Sequence, residues 1–380
     1  MSVFAAVPPA PPGVPAACRE RLVEVDRCEW RLGEGGDPAA IAAAFTARYA
    51  ADHVVSEGSV CGVAVLVSAA AGAVMAGGAT GAPSPVPAVP DLVLVAFAHG
   101  PHRDRETSGS FAVGPWAPSW TGADHAKAVV SVQEAIGRGQ VYVANVVGHR
   151  SAPWSGDPAG IAAAVAGVGG ASWGGVLSGR DWLVASGSPE CFFTVEGRTA
   201  AARPVKGTAP ATEEGRAELL GSVKERAEHV MIVDLERNDL ARVAVPGSVR
   251  VPELLRLHRW ADLWQAESTV ECELAEGADL AEVLRAMCPP GSVTGTPKLA
   301  VLDLVGGLEP VGRGPAMGAF GYVCGTSVRL GVTIRTVALD ADRAHLWAGG
   351  GITWRSAPEA EVAEAEAKAA AVTAALTAGA

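Results

Sequence analysis

Lysine is scarce in this 380-residue chain: of 30 basic residues only Lys127, Lys206, Lys224, Lys298 and Lys368 are lysine, and the rest are arginine. A lysine kept against such a bias suits a position that needs a compact, titratable ammonium. Basic charge is also in deficit: 41 acidic residues give a formal net charge of −11. That balance argues against nucleic acid and anionic membrane as partners, since both call for basic patches. The seven cysteines are scattered and form no CxxC pair. Their spacing fits neither a disulfide framework nor a zinc motif, and reads as buried free thiols in a reducing cytoplasm. No stretch approaches the about 20 apolar residues of a membrane span without Gly, Pro or charge. The N-terminus lacks the basic start of a secretory signal, and prolines interrupt it. A cytoplasmic location is the expectation.

Hydrophobic residues make up 49% and charged residues 19%, a balance that can bury a large core. Residues 1–17 are Pro/Ala-rich and read as loose. Residues 18–120 alternate short apolar runs with Gly/Pro turns and read as a strand-rich region. Residues 121–138 have helical spacing, with Asp124 as a cap, and residues 158–170 read as a short helix and turn. Beyond residue 182 come three strands, a charged helix over 213–229 that runs into VMIVDLERNDLARV, and three more strands, MGAFGYVCG, RLGVTIRTVAL and AHLWAGGGI. A last helix starts near Ser356 and Pro358. Many strands with a few long helices, not strictly alternating, predict an α+β fold with extensive antiparallel sheet. Residues 121–380 are read as one region, expected to carry the chemistry and to form one structural unit with 18–120.

Several short patterns carry chemistry. KERAEH puts Glu225 and Glu228 three apart on one helical face, and PEAEVAEAEAK does the same for Glu361 and Glu364, with Lys368 one turn on. Alone, each is a solvated charged face; together they could share a magnesium ion, which takes carboxylates, waters and anionic substrate oxygens. RPVKGT places Lys206 beside a tight strand end, where desolvation would make a nucleophile of a lysine that otherwise belongs on the surface. AGGGI, residues 348–352, is a turn or bulge, or a run of backbone amides open to an anion. Arg335, inside an apolar strand, wants an anionic partner. GSVTGTPK is glycine-rich but lacks the phosphate-loop spacing GxxxxGK[ST]. No Ser-His-Asp or Cys-His arrangement stands out by spacing.

In order and wording, RPVKGT, KERAEH, VMIVDLERNDLARV, ESTV, PPGSVTGTPK, LEPVGR, GAFGY, IRT, AGGGI and SAPEAEVAEAEAK resemble the catalytic region of the chorismate-utilising enzymes. That family comprises anthranilate and aminodeoxychorismate synthase large subunits and isochorismate and salicylate synthases. The resemblance covers about half the chain, residues 180–370, and implies two packed, mainly antiparallel sheets with outer helices. It implies Mg²⁺ between Glu228 and Glu364 with Glu225 and Glu361 nearby. It implies that chorismate carboxylates lie against Arg335, Lys368 and the amides of Gly349, Gly350 and Gly351, and that Gly207 and Thr208 line the ring. Glu190, in SGSPECFF, matches the family's carboxyl group near the C4 hydroxyl, the candidate general acid for its departure.

Within that family Lys206 matches aminodeoxychorismate synthases, typically PIKGT, where anthranilate synthases typically have PIAGT. The implied reaction is attack by Lys206 on ring C2, loss of the C4 hydroxyl, then addition of ammonia at C4. Val143 stands where amine-using relatives usually have glutamine and isochorismate or salicylate synthases have lysine, which argues against activation of water at C2. Gln265, Ala316, Ala209 and Ala211 also depart from the usual residues. No glutamine amidotransferase region is recognisable, so a separate glutaminase subunit is expected to supply ammonia. The alternatives are an anthranilate or 2-amino-2-deoxyisochorismate synthase, or a non-catalytic chorismate-binding protein.

Overall fold

The computed structural model describes residues 4, 10–15, 18–19, 21–49, 56–101, 109–260 and 263–378. The chain opens with strand β1 (Leu22–Trp30), helix α1 (Pro38–Arg48), β2 (Val60–Val67), α2 (Ala69–Ala76) and β3 (Leu92–His99). Short strands β4 (Phe111–Val113) and β5 (Ala117–Pro118) lead to α3 (Gly122–Gly137), the long β6 (Val143–Gly156) and α4 (Pro158–Ala166). Then come β7 (Gly175–Ser178), β8 (Leu183–Ser186), β9 (Cys191–Glu196), β10 (Thr199–Arg203) and β11 (Val205–Pro210). Helices α5 (Glu213–Gly221) and α6 (Val223–Ala241) precede the paired strands β12 (Arg250–Trp260) and β13 (Leu263–Glu273). The last part holds α7 (Leu280–Met287), α8 (Gly291–Thr294), β14 (Gly295–Thr296), α9 (Lys298–Gly306), β15 (Ala319–Cys324), β16 (Ser327–Val332), β17 (Thr336–Leu339), β18 (Arg343–Ile352) and α10 (Pro358–Ala378).

Two antiparallel sheets result. The first runs β1-β3-β2-β15-β16-β9-β10-β13-β11, with β12 also on β13; the second runs β14-β6-β18-β17-β8-β7, with β4 and β5 on β6. The N-terminal strands thus continue the sheet built by β9, β15 and β16. Apolar side chains of both sheets, among them Val65, Leu94, Phe193, Phe320, Val184 and Trp347, form the core between them. The period-2 alternation of β6 serves both faces: Val147 joins that core, while Ala144 and Val146 pack under α3 and α9 with Val129, Val132 and Val301. Helices α4 and α10 cover the rest of that outer face through Ile161, Val165, Ala369, Val372 and Leu376. The expected α+β architecture of packed sheets with outer helices is what is found.

Four local expectations need correction. Thr121, not Asp124, caps α3, because its Oγ1 accepts the Asp124 N–H at 3.2 Å. The charged helix over 213–229 is two helices: Ser222 is extended (ψ 108°) and its Oγ accepts the Glu225 N–H, starting α6 afresh. Ser356 does not cap α10; its Oγ accepts the Thr353 N–H at 3.0 Å. RLGVTIRTVAL is not one strand. It leaves the first sheet after Val332 and enters the second at Thr336, and Arg335 makes the turn with φ 49°.

Candidate functional site

A bulge aims Lys206. In the β11–β13 pairing Lys206 faces Ala266 and Thr208 faces Gln265, so Gly207 is the extra residue, and its φ of 76° is one that glycine adopts freely. A Cβ on Gly207 would lie 2.6 Å from Leu219 Cδ1 and 3.3 Å from Glu225 Oε2, so α5 and α6 press directly on the bulge. The Lys206 ammonium donates to the Ser292 carbonyl at 3.0 Å. It also lies 3.8 Å from where a Cβ of Gly351 would stand. The nucleophile candidate is therefore held between α8 and β18. Burial lowers its pKa; Glu190, Glu228 and Glu364 pull it back up, and Lys368 adds to the lowering. Which of these opposing influences wins was not legible in the sequence, and burial does.

Glu190 precedes β9 and is 6% exposed. Its N–H donates to Ser188 Oγ and its carbonyl accepts the Val332 N–H. Burial pushes its carboxyl above the usual range, against the Ser292 hydroxyl hydrogen bond and the Lys206 and Lys368 charges. Lys206 and Glu190 thus meet at Ser292, and burial drives both toward their neutral forms.

Gly349, Gly350 and Gly351 lie inside β18, opposite Val147, Val146 and Asn145, so AHLWAGGGI is the strand expected and the glycines make no turn. Their smallness is used there: a Cβ on Gly349 would meet the Val146 carbonyl at 2.0 Å. On β18, strand β17 pairs only with Ala344–Leu346, so among the described residues the other edge of the glycine run has no strand partner. Arg335 sits just before β17, beside that edge. It is half-buried, and its Nη1 donates to the Gly169 carbonyl at 3.0 Å. Among the described residues no carboxylate pairs with it, and burial lowers its pKa.

Above the glycines, Glu361 Oε2 and Glu364 Oε1 lie 3.2 and 3.5 Å from the position a Gly350 Cβ would take. Lys368 Nζ pairs with Glu364 at 2.7 Å and donates to the Gly349 carbonyl at 3.0 Å. Glu361 is buried and Glu364 exposed. Glu225 reaches Gly207 from α6, and Glu228 on α6 and Glu364 on α10 both act on Lys206. Carboxylates of both helices therefore flank Lys206 and the glycines, though among the described residues no three of them form a ready-made cluster. Such an all-oxygen donor set suits magnesium. The Thr208 side chain lies outside the described residues.

Several residues of the site escaped the sequence reading. Ser292 anchors both Lys206 and Glu190. Asn145 donates to the carbonyls of Ser292 and Thr294, and its Oδ1 stands 3.8 Å from the Gly351 Cβ position. Arg313, buried with Glu309, donates to both its carboxylate oxygens and to the carbonyls of Val293 and Asn145, while Glu309 Oε1 accepts the Val147 N–H. That clamp fixes α8 against β6. His229, fully buried behind Lys206, meets Ser268 Oγ at 2.6 Å, and burial brings its pKa down to about 4. Lys298 is not a surface cation: it pairs with Asp239 at 2.7 Å in the interior and donates to the Met287 carbonyl. Their only advance signal was membership in the motifs KERAEH, ESTV, GSVTGTPK and LEPVGR, or, for Asn145, a place two residues beyond Val143.

The chain matches the pattern of a known family, chorismate binding enzyme, over residues 87–374. It is 35% identical to aminodeoxychorismate synthase component 1 of Bacillus subtilis over 273 residues, 70% of this chain and 57% of that protein. It is 42% identical to anthranilate synthase component 1 of Streptomyces coelicolor over 188 residues, 48% of this chain and 37% of that one. The chain thus spans about half the length of such relatives. Anthranilate synthase component I of Streptococcus pneumoniae superposes with a TM-score of 0.81 at 20% identity, over 93% of this chain and 91% of that one. No described helix is long and apolar enough to cross a membrane.

Proposed function

The chain belongs to the chorismate binding enzyme family, and from that premise we propose that it is an aminodeoxychorismate synthase large subunit, converting chorismate and ammonia to 4-amino-4-deoxychorismate. The observation that carries this reading is Lys206: a lysine held by a bulge beside Glu190, with burial lowering the one pKa and raising the other. An ordinary lysine is ammonium at neutral pH and has no lone pair to give. Here the neutral pair, amine plus carboxylic acid, is the form the reaction uses. The Lys206 amine attacks C2 of the ring, the ring double bond shifts, and the C4–O bond breaks. Glu190 hands its proton to the departing hydroxyl, which leaves as water. Ammonia then attacks C4, the bond from C2 to Lys206 breaks to regenerate the amine, and the new C4 ammonium returns a proton to the Glu190 carboxylate. Splitting one displacement into two is the benefit of covalent catalysis.

Arg335, Lys368 and the open edge of Gly349–Gly351 receive the substrate carboxylates, and Gly207 and Thr208 line the ring. Glu228 and Glu364 would hold Mg²⁺, with Glu225 and Glu361 beside them; when bound it neutralises a substrate carboxylate and orients the ring. Ammonia comes from a glutamine amidotransferase subunit, as the "component 1" designation of the relatives suggests, and the reaction is placed in the cytoplasm, serving 4-aminobenzoate and folate synthesis. The higher identity to an anthranilate synthase over the shorter match favours a second reading, amination at C2 to anthranilate or 2-amino-2-deoxyisochorismate. Mass spectrometry and NMR of products from chorismate, Mg²⁺ and ammonium salt separate them. A 4-amino product that needs a separate lyase to yield 4-aminobenzoate supports the first reading, and fluorescent anthranilate overturns it.

A further inference from the structure

Three strands of the first sheet and the turn before β1 bring together side chains that are far apart in sequence. Cys18 lies in the turn before β1, Cys61 in β2 and His99 at the end of β3, and all three are buried. Cys61 is the extra residue of a bulge between Val60 and Gly62 in the β2–β3 pairing, a device that re-aims a side chain. Gly62 next to it lacks the Cβ that would lie 2.4 Å from the Val323 carbonyl and 2.7 Å from the Tyr322 ring, so β15 closes over the cluster. The ligand-capable atoms of Cys18, Cys61 and His99 lie within 4.8 Å of one another.

We propose that Cys18, Cys61 and His99 form a site for a zinc-like divalent cation, remote from the catalytic chemistry and independent of it. Tetrahedral zinc, with bonds of about 2.3 Å to sulfur and 2.0–2.1 Å to nitrogen, holds its ligand atoms about 3.5–3.8 Å apart. The cluster reaches that spacing with small side-chain shifts. The imidazole is already turned for ligation. His99 Nδ1 is engaged by Ser59 Oγ at 2.9 Å and the Ser59 carbonyl at 3.2 Å, and Nε2 faces Cys18 Sγ at 3.2 Å. An outer hydrogen bond that fixes one ring nitrogen and presents the other is how metal-binding histidines are oriented. A second observation points to the same place. Tyr322, 1% exposed, faces the Cys61 thiol with its hydroxyl, which makes no well-formed hydrogen bond. Cys324, at the end of β15, borders the same group. Two thiolates and an imidazole select a borderline-soft ion and not magnesium. The spacing along the chain gave no hint of this, because each ligand comes from a different segment: the turn before β1, β2 and β3.

The test uses the full, untagged chain, purified under reducing conditions and loaded with Co²⁺ alone. The expected result is about one cobalt per chain, with the thiolate-to-metal charge-transfer band and the strong visible absorption of a tetrahedral sulfur site. Zn²⁺ should displace it, and a mercurial should release it. Cys61→Ser and His99→Gln should lose the spectrum, Cys28→Ser should keep it, and Ser59→Ala, which spares every ligand, should weaken cobalt binding by roughly 10–100-fold. Cobalt held on the catalytic carboxylates would lack the thiolate band. A folded wild-type chain without that band overturns the proposal, as does a band that survives in Cys61→Ser. A disulfide joining the Cys18 and Cys61 peptides in protein isolated without oxidant also overturns it.

Discussion

Replacing Arg313 with methionine removes the charge that holds α8 against β6. The guanidinium makes hydrogen bonds to Glu309 Oε2 at 2.8 Å and Oε1 at 2.6 Å, to the Val293 carbonyl at 3.0 Å and to the Asn145 carbonyl at 2.8 Å. Side chains of both partners are more than nine-tenths buried. Arg313→Met leaves a buried carboxylate uncompensated and two carbonyls without their donor, a loss of about 3–5 kcal/mol. At about 2.1 cal/mol/K per residue, 380 residues give an unfolding entropy of about 0.8 kcal/mol/K, so Tm falls by about 4–6 °C. Calorimetry, together with urea unfolding followed by the fluorescence of the 10 tryptophans, reads both quantities. The double variant Arg313→Met/Glu309→Leu should be less destabilised than Arg313→Met alone, because it buries no unpaired charge. What it still lacks is a donor for the Val293 and Asn145 carbonyls, as in the single variant, and a partner for the Val147 N–H, at about 1–3 kcal/mol. A loss below about 1 kcal/mol in the single variant, or a larger loss in the double, would refute this account of how the Ser292 segment is held.

Glu190→Gln keeps the shape but cannot donate the proton, and turnover should drop by about 10²–10⁴-fold with the circular dichroism spectrum unchanged. The reacting form needs Lys206 deprotonated, so the rate of the lysine step rises with pH through a midpoint below the ordinary 10.5. It needs Glu190 protonated, so turnover falls on the alkaline side through a midpoint above 4.5. Glu190 raises the Lys206 pKa, so in Glu190→Gln the acid limb should move to lower pH; an unmoved limb contradicts the pairing. Gly350→Ala puts a Cβ 3.2 Å from Glu361 Oε2 and 3.5 Å from Glu364 Oε1, and should raise the Mg²⁺ needed for half-maximal turnover by at least about tenfold. Full activity in excess chelator would remove the metal assignment altogether.

Periodicity and motif order made much of the sheets and helices legible, because the apolar runs of β2 and β3 and the helical spacing in α3 are properties of neighbouring residues, whereas the long β6 was not read as a strand. What they could not show is where a strand changes sheet. RLGVTIRTVAL reads as one continuous, mainly apolar strand, and it is the φ of 49° at Arg335 that divides it. The same limit applies to the site. Lys206, Glu190 and the glutamate pairs announce themselves by residue type and wording. Ser292 acts largely through its backbone carbonyl, and Arg313 and Asn145 act through contacts with segments more than a hundred residues away. Backbone acceptors and long-range clamps leave no local pattern. Burial of Lys206, which decides the direction of its pKa, is likewise a property of the packed elements around it.

The central claim is that Lys206 bonds to the substrate ring. Incubation with chorismate and Mg²⁺, with no ammonia, followed by intact-protein and peptide mass spectrometry, tests it most directly. The account predicts an adduct on the peptide containing Lys206, its disappearance when ammonium salt is added, and its absence, with most of the 4-amino product, in Lys206→Ala. A Lys206→Ala enzyme that makes 4-amino-4-deoxychorismate at the wild-type rate would contradict both the mechanism and the function proposed for this chain.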